Sequence, residues 1–120
     1  PLLSDRSKIE LRNQSFRAPA MLHAAGVEFA LMTDHPVIPV QYLPVCAALA
    51  VREGLDEDTA LASITLHAAR AVGLDGRIGS LEPGKDANIA VFAGHPFDFR
   101  TRCRLTLIDG RIVHRDGAAV

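Results

Sequence analysis

The chain has 120 residues, of which 48% are hydrophobic, and its 13 basic and 14 acidic side chains leave a formal net charge of -1. This composition excludes a disordered chain, and the balanced charge excludes a broad basic surface for nucleic acid or anionic membranes. No run approaches the roughly 18 apolar residues of a membrane span, and no signal-peptide pattern opens the chain. Two distant cysteines, Cys46 and Cys103, are too few for a disulfide scaffold. We expect both to be reduced, in a cytoplasmic protein.

The first predicted elements are a loop and a helix. The residues from Pro1 to Asn13 are polar and charged, which predicts a loop. Apolar residues at helical spacing then predict a helix from Phe16 to Ala25. Ser15 is its candidate N-cap and Gly26 its end.

The stretch from Val27 to Pro36 places polar side chains at the end of a predicted strand. Its short apolar run is typical of a strand that is buried on both faces, as in a parallel sheet, and the proline ends it. Thr33, Asp34 and His35 would then lie at the carboxyl end of that strand, where barrels of alternating strands and helices carry out chemistry. Asp34 is therefore the first candidate for a functional residue. A structural role as a turn-capping acid is the alternative.

Three more helices are predicted before residue 75. The first runs from Leu43 to Glu53, and the second follows a cap at Asp56 and reaches Ile64. The third runs from Leu66 to Val72, with Thr65 as its cap. The order of helix, strand and helix is that of an α/β barrel or a doubly wound sheet.

After residue 75 the pattern changes to short strands. Four β runs are predicted, over Arg77–Glu82, Ala87–Phe92, Arg104–Ile108 and Arg111–Arg115. Asp109-Gly110 joins the last two and is a strong hairpin signal, because a type I′ turn needs positive φ at both positions. We therefore predict an α/β part over residues 1–75 and an all-β part over residues 76–120.

Neither part would be self-sufficient. A single strand buried on both faces has no neighbour to pair its backbone groups, and unpaired buried groups are costly. Four short strands could pair with one another but would expose one face. The missing partners must come from another chain or from sequence not present here, so we predict a fragment of a larger protein.

Several stretches carry a resemblance to a known family: Ala25–Val27, Thr33–Val37, Ile64–Ala69, Gly79–Asn88 and Leu107–Gly110. Together they resemble the C-terminal part of a metal-dependent amidohydrolase. The Gly-x-Leu-x-x-Gly-Lys-Asp-Ala run is quite specific, and the Thr-Asp-His-Pro-Val sequence is most similar to the imidazolonepropionase-like branch. Members usually carry a second acid at the position of Asn88, a departure in a structural turn that leaves the chemistry untouched.

The resemblance implies an architecture for both parts. Residues 1–75 would be the last helix-strand-helix part of a (β/α)8 TIM-type barrel. Residues 76–120 would be the C-terminal strands of a small composite β-sandwich, whose other strands come from the enzyme's N-terminus.

The resemblance also implies a role for one carboxylate. In this superfamily the acid at the end of the eighth strand binds the catalytic divalent metal and takes a proton from the metal-bound water. By position that acid is Asp34, as both catalytic residue and metal ligand. His35 would contact substrate or play a structural role. His67 is expected to be packed or solvent-facing, and His95 to lie in a surface turn.

The family's remaining metal ligands are absent from this chain. Its His-x-His pair, its bridging lysine or acid and two further histidines all belong to earlier strands. A catalytic zinc site needs about three protein ligands. A divalent metal, zinc, is therefore expected only in the full-length enzyme and not tightly bound to this chain, which alone should be inactive.

The expected function is hydrolysis of non-peptide C–N bonds, in cyclic amide or amide-like substrates, by a metal-activated water. The expected partners are the missing N-terminal part, a small-molecule substrate and a second copy in a homo-oligomer, with no nucleic acid or membrane. Two alternatives stand beside it. One is a non-catalytic structural or assembly module, and the other is a deaminase of the same superfamily.

Overall fold

A computed structural model describes residue 9 and residues 12–117 of the chain. Four helices come first: α1 (Ala18–Ala24), α2 (Leu43–Arg52), α3 (Glu57–Ser63) and α4 (Leu66–Ala71). Three strands follow: β1 (Ile89–Phe92), β2 (Cys103–Ile108) and β3 (Arg111–Arg115). A 3₁₀ turn over Val40–Tyr42 leads into α2. Most of the loop predicted for Pro1–Asn13 lies outside the described residues.

The four predicted helices are confirmed, with ends within two residues of those predicted. Asp56 caps α3 as expected, because its carboxylate accepts the Thr59 N–H at 2.9 Å. The predicted cap at Thr65 is wrong. The Thr65 hydroxyl instead donates to the Leu61 carbonyl oxygen at 2.7 Å, and α4 begins without a side-chain cap.

The helices enclose a small core built mainly from alanine. Ala47 and Ala50 of α2 and Ala60 of α3 are fully buried, and Leu55 lies between the two helices. Such short side chains let helices approach closely, so the loss of even one methyl contact would lower the stability of the fold. Phe29 and other partly buried side chains pack around this core.

The segment of residues 27–33 is not a strand, contrary to the prediction, and it is not buried on both faces. Val27 and Met32 are 46% and 58% exposed. A strand exists only when it pairs with a neighbour, and no strand among the described residues lies beside this segment. One N–H, that of Leu31, does bond to the Ser63 carbonyl oxygen at 3.1 Å.

The three strands form an antiparallel sheet in the order β1-β2-β3. The hairpin between β2 and β3 confirms the Asp109-Gly110 signal, because both residues have positive φ, at 51° and 73°. The run predicted as a strand over Arg77–Glu82 is wrong. Its residues form a turn and a bend without strand pairing, and Ser80 Oγ donates to Glu82 Oε1 and accepts from Lys85 Nζ, each at 2.5 Å. Side-chain bonds within the turn replace the ladder bonds that a strand would make.

One face of this sheet is apolar. The register pairs Ile89 and Ile112 with Leu107, and Val91 with Leu105, so these five side chains share a face. Val91 and Ile112 remain 43% and 51% exposed. Within residues 12–117, therefore, this face is only partly covered.

Candidate active site

Asp34 lies in a tight turn directly after the segment of residues 27–33. Its φ is 55°, in the left-handed region that non-glycine residues seldom adopt. The Asp34 carbonyl oxygen accepts the Val37 N–H at 2.9 Å, and the Thr33 carbonyl oxygen accepts the Ile38 N–H at 3.3 Å. Thr33 and Ile38 are both buried. The turn is therefore held by backbone bonds and by burial on either side of Asp34.

The Asp34 carboxylate takes no part in holding this turn. The side chain is exposed, and no described residue donates a hydrogen bond to it or forms an ion pair with it. The alternative of a turn-capping acid, which the sequence left open, thus lacks the bond that would define a cap. Chemically, a carboxylate of this kind can accept a proton or a metal ion at both oxygens.

His35 follows Asp34 and is likewise exposed, as are Pro36 and Val37 after it. Its imidazole makes no hydrogen bond or ion pair to any residue in the described part of the chain. The structure thus places the two predicted site residues next to each other on one exposed turn.

A complete metal site needs more than this turn provides. No group of three or more histidine, cysteine, aspartate or glutamate side chains among the described residues could hold a metal ion. Asp34 fits as a single ligand, since a carboxylate without internal partners is a suitable oxygen donor. About three protein ligands are required, so the rest of the set is not supplied by residues 12–117.

His95 lies in an exposed turn, as predicted, but its imidazole has two partners. Nδ1 accepts the Phe97 N–H at 3.2 Å, and Nε2 lies 2.8 Å from Glu57 Oε1 at the start of α3. Because Nδ1 accepts, the neutral ring carries its proton on Nε2, the nitrogen that faces the carboxylate. Phe97 packs against the helical core beside this contact. His95 therefore links the strand-containing part of the chain to α3.

A cluster that sequence reasoning missed joins residues 27–33 to α4. Arg70 Nη1 donates to Glu28 Oε2 at 2.7 Å, and His67 Nε2 lies 3.5 Å from the same oxygen. Arg70 Nε is also 3.8 Å from Asp75. Glu28 and Arg70 are 42 positions apart, so no local pattern in the sequence could have paired them.

Both cysteines are free, Cys46 buried in α2 and Cys103 half-buried in β2. Burial raises the pKa of the Cys46 thiol above its usual value, which keeps it protonated and unreactive. None of the helices described is long and apolar enough to span a membrane.

Comparison with known proteins gives the class to which this protein belongs. Residues 3–113 match the amidohydrolase family, and the chain belongs to that family. The predicted resemblance is thereby confirmed, and so is the coarse fold of helices followed by a small antiparallel sheet. Members of this family typically use a divalent metal.

Three relatives illustrate the similarity. The crystal structure of an amidohydrolase from Thermotoga maritima matches 96% of this chain and 30% of that one, with a TM-score of 0.92 and 46% identity. An imidazolonepropionase from Maricaulis maris is 40% identical over 84 residues, which cover 67% of this chain and 21% of that protein. The amidohydrolase tasK from Hapsidospora irregularis is 32% identical over 93 residues, which cover 78% of this chain and 10% of that protein. The chain thus spans between 10% and 30% of the length of these relatives.

Proposed function

We propose that this chain is the C-terminal part of a metal-dependent amidohydrolase that hydrolyses non-peptide C–N bonds in cyclic amide or amide-like substrates. The observation that carries the proposal is the exposed Asp34 carboxylate, which no described residue engages, in a turn that is held without it. Family membership and the imidazolonepropionase relatives support hydrolysis of C–N bonds.

The proposal includes an architecture for the whole enzyme. Residues 1–75 are proposed as the last helix-strand-helix part of a TIM-type barrel, and residues 76–120 as strands of a composite β-sandwich. Two observations support this. Within the described part of the chain, the segment of residues 27–33 has no neighbouring strand, and the sheet has an apolar face with Val91 and Ile112 exposed.

Asp34 would act both as a ligand and as a proton carrier. A bound divalent metal, which we propose to be zinc, would supply a water molecule that loses its proton readily, since such a cation lowers the pKa of bound water from about 15.7 to near 7. Asp34 accepts a proton from the attacking water and delivers it to the leaving nitrogen. His35, the next residue on the turn, is proposed to contact the substrate.

The remaining ligands are proposed to come from an N-terminal part of the enzyme that lies outside this chain. Accordingly the chain alone would be inactive and would bind no metal tightly. The proposed partners are that N-terminal part, a small-molecule substrate and a second copy of the enzyme. Two free cysteines support a location in the reducing cytoplasm.

The test is Asp34→Asn in the enzyme that carries this chain. We expect kcat/KM to fall by at least about 100-fold, because a general base typically contributes about 10²–10⁴-fold. Asp109→Asn is the matched control, since Asp109 is the other described non-glycine residue with positive φ and asparagine tolerates that conformation. Asp109→Asn should retain wild-type turnover. Near-wild-type turnover of Asp34→Asn at full metal content would refute the assignment.

A non-catalytic assembly module remains a second candidate, favoured by the lack of a three-ligand cluster within the described residues. The result for Asp34→Asn distinguishes the two, because in a structural module this substitution would leave turnover unchanged. The product distinguishes a deaminase from the proposed hydrolase. A deaminase releases ammonia, whereas opening a cyclic amide releases none.

A further inference from the structure

The β1–β2 loop, residues 93–102, is closed by backbone hydrogen bonds at its base and within its turn. At the base, the Ala93 N–H donates to the Arg102 carbonyl oxygen at 3.0 Å. In the turn, the Asp98 N–H donates to the His95 carbonyl oxygen at 3.1 Å. These bonds give the side chains of the loop a defined arrangement.

Two side chains of this loop contact the helices. Phe97 packs against the alanine core of α2 and α3. His95 Nε2 lies 2.8 Å from Glu57 Oε1 in the first turn of α3. The two rings also meet edge-on, with their centroids 5.0 Å apart. Every group in this contact belongs to the described chain, so the contact does not depend on parts of the enzyme that lie outside it.

The bond between the Phe97 N–H and the His95 ring depends on the protonation state of that ring. Nδ1 accepts the N–H at 3.2 Å, two residues along the chain, as an Asn or Asp oxygen does in an Asx-turn. An imidazolium carries a proton on both nitrogens and cannot accept. On protonation, two N–H groups would therefore face each other, and the ring must turn away from the Phe97 amide.

Protonation also has an opposite effect, because it places a positive charge beside Glu57. The His95 and Glu57 side chains are 47% and 59% exposed, however, and ion pairs between exposed groups contribute little to stability. A lost hydrogen bond that leaves two donors facing each other costs more than such a pair gains. The net effect of protonation is therefore to weaken the contact.

The other charged groups of the loop do not titrate together with His95. They are Asp98, Arg100 and Arg102. Arg100 holds the Asp98 carboxylate with two side-chain bonds, at 2.9 and 2.7 Å, and these bonds lower the pKa of Asp98 to about 2. Arginine stays protonated at any physiological pH. Within the loop, only His95 changes charge in mildly acidic solution.

We propose that His95 is a pH-sensitive switch that fastens the β1–β2 loop to α3. With a neutral ring it holds the loop in place and keeps Phe97 against the helical core. When the ring gains a proton, between about pH 8 and pH 5 as imidazoles do, the loop loosens and the sheet loses an attachment to the helices. The switch uses no residue of the Asp34 turn, so its test is separate from that of the proposed function.

Hydrogen exchange of the Phe97 amide, in the enzyme that carries this chain, tests the switch. Mass spectrometry gives the protection factor, which is corrected for the intrinsic exchange rate at each pH. We expect it to fall roughly 3- to 10-fold from about pH 7.5 to about pH 5.5, as expected for the loss of one hydrogen bond. An unchanged or increased protection factor would refute the switch.

Two variants of His95 separate its two contacts. His95→Asn places an amide oxygen near the position of Nδ1 and does not titrate, so Phe97 should be protected equally at both pH values. His95→Gln reaches toward Glu57 but lacks an acceptor at the Nδ1 position, so protection should be low at both. If His95→Asn shows the same fall as wild type, another group is responsible and the proposal fails.

Two controls complete the test. His114→Asn removes a histidine of β3 and should leave the fall in Phe97 protection as large as in wild type. Glu57→Gln removes the ion pair that opposes release, so the fall should be larger than in wild type. A smaller fall in Glu57→Gln would show that the carboxylate drives the response and would contradict the assigned cause.

Discussion

Gly79 lies where the chain after α4 passes close to that helix. A Cβ at this position would lie 2.8 Å from the Ala69 Cβ and 3.0 Å from the Leu66 Cα, both of which belong to α4. Its φ of +95° is also one that side-chain-bearing residues rarely adopt. Glycine is therefore required here for two separate reasons, which explains its place in the family-like run that begins at this residue.

The two reasons can be separated with a second glycine. Gly84 has nearly the same φ, +92°, but nothing lies within 4 Å of a Cβ built on it. We expect Gly84→Ala to lower the free energy of unfolding by about 1–2 kcal/mol from backbone strain alone. Gly79→Ala should cost about 1–3 kcal/mol more, because the helix must shift to accommodate the methyl group. Urea denaturation measures both, and equal losses would contradict the predicted clash.

Among single residues, the sequence indicated Asp34 as a candidate functional residue but did not indicate which residues surround it. The apolar run before it and Pro36 after it are local signals, and they predicted a strand that ends at Asp34, whereas the structure has a turn there and no strand before it. The Glu28 cluster depends on which face α4 turns toward residues 27–33, and that is a tertiary property. His67 could accordingly be predicted only as packed or exposed, without its partner.

Among the elements, α3 has the best-defined start. The Asp56 carboxylate accepts hydrogen bonds from the Thr59 backbone N–H at 2.9 Å and the Thr59 hydroxyl at 3.0 Å. These bonds, the backbone one foremost, lower the pKa of Asp56 below its usual 3.8. Because the folded pKa is the lower one, this carboxylate stabilises the fold above pH 3.8, and the contribution is lost as the pH falls through the folded pKa.

Asp56→Asn tests this pH dependence without removing the cap. Asparagine caps a helix about as well as aspartate but has no acid to titrate. We expect the variant to match wild type near pH 7 in thermal unfolding and to lose less stability than wild type as the pH falls below 3.8. Asp56→Ala should be less stable at pH 7. Parallel pH profiles for Asp56→Asn and wild type would contradict the assigned cause.

Helices were predicted better than strands, for a physical reason. The signals for α2 and α3 are Pro44, Gly54 and Asp56, all within a few residues of a helix end. A strand also needs a partner, which the pattern of its own residues does not supply. The β2–β3 hairpin was predictable because Asp109-Gly110 brings its partner strand within two residues. Residues 27–33 carry the pattern of a strand without any neighbour in the described chain.

Among the described residues, exposed apolar side chains lie both beside the Asp34 turn and on the apolar face of the sheet. Met32 is 58% exposed at the turn, and Val91 and Ile112 are 43% and 51% exposed on the sheet. Exposed apolar side chains that share a face often mark a contact with another protein segment. A family relative three times the length of this chain would have material to cover both surfaces.

We expect the isolated chain to associate with itself at micromolar concentration, because these surfaces are otherwise left in water. Sedimentation velocity measures this directly. Val91→Thr combined with Ile112→Thr should raise the monomer fraction, since threonine keeps the strand preference while adding a polar group. Leu81→Thr, in the turn before β1, is the control and should have little effect. A monodisperse wild-type monomer would count against the prediction.

Asn88 holds the tip of the β2–β3 hairpin through an amide side chain, which does not titrate. Its Oδ1 accepts the Asp109 N–H at 2.9 Å, and the Gly110 N–H donates to the Ala87 carbonyl oxygen at 3.1 Å. Both acceptors are amide oxygens, which stay unprotonated over the pH range in which carboxylates titrate. An aspartate at position 88 would hold the same tip through a charged acceptor, and that bond would weaken when the carboxylate is protonated. Asn88, which stands where family members usually carry an acid, thus makes the hydrogen bonds at the hairpin tip independent of pH in the acidic range.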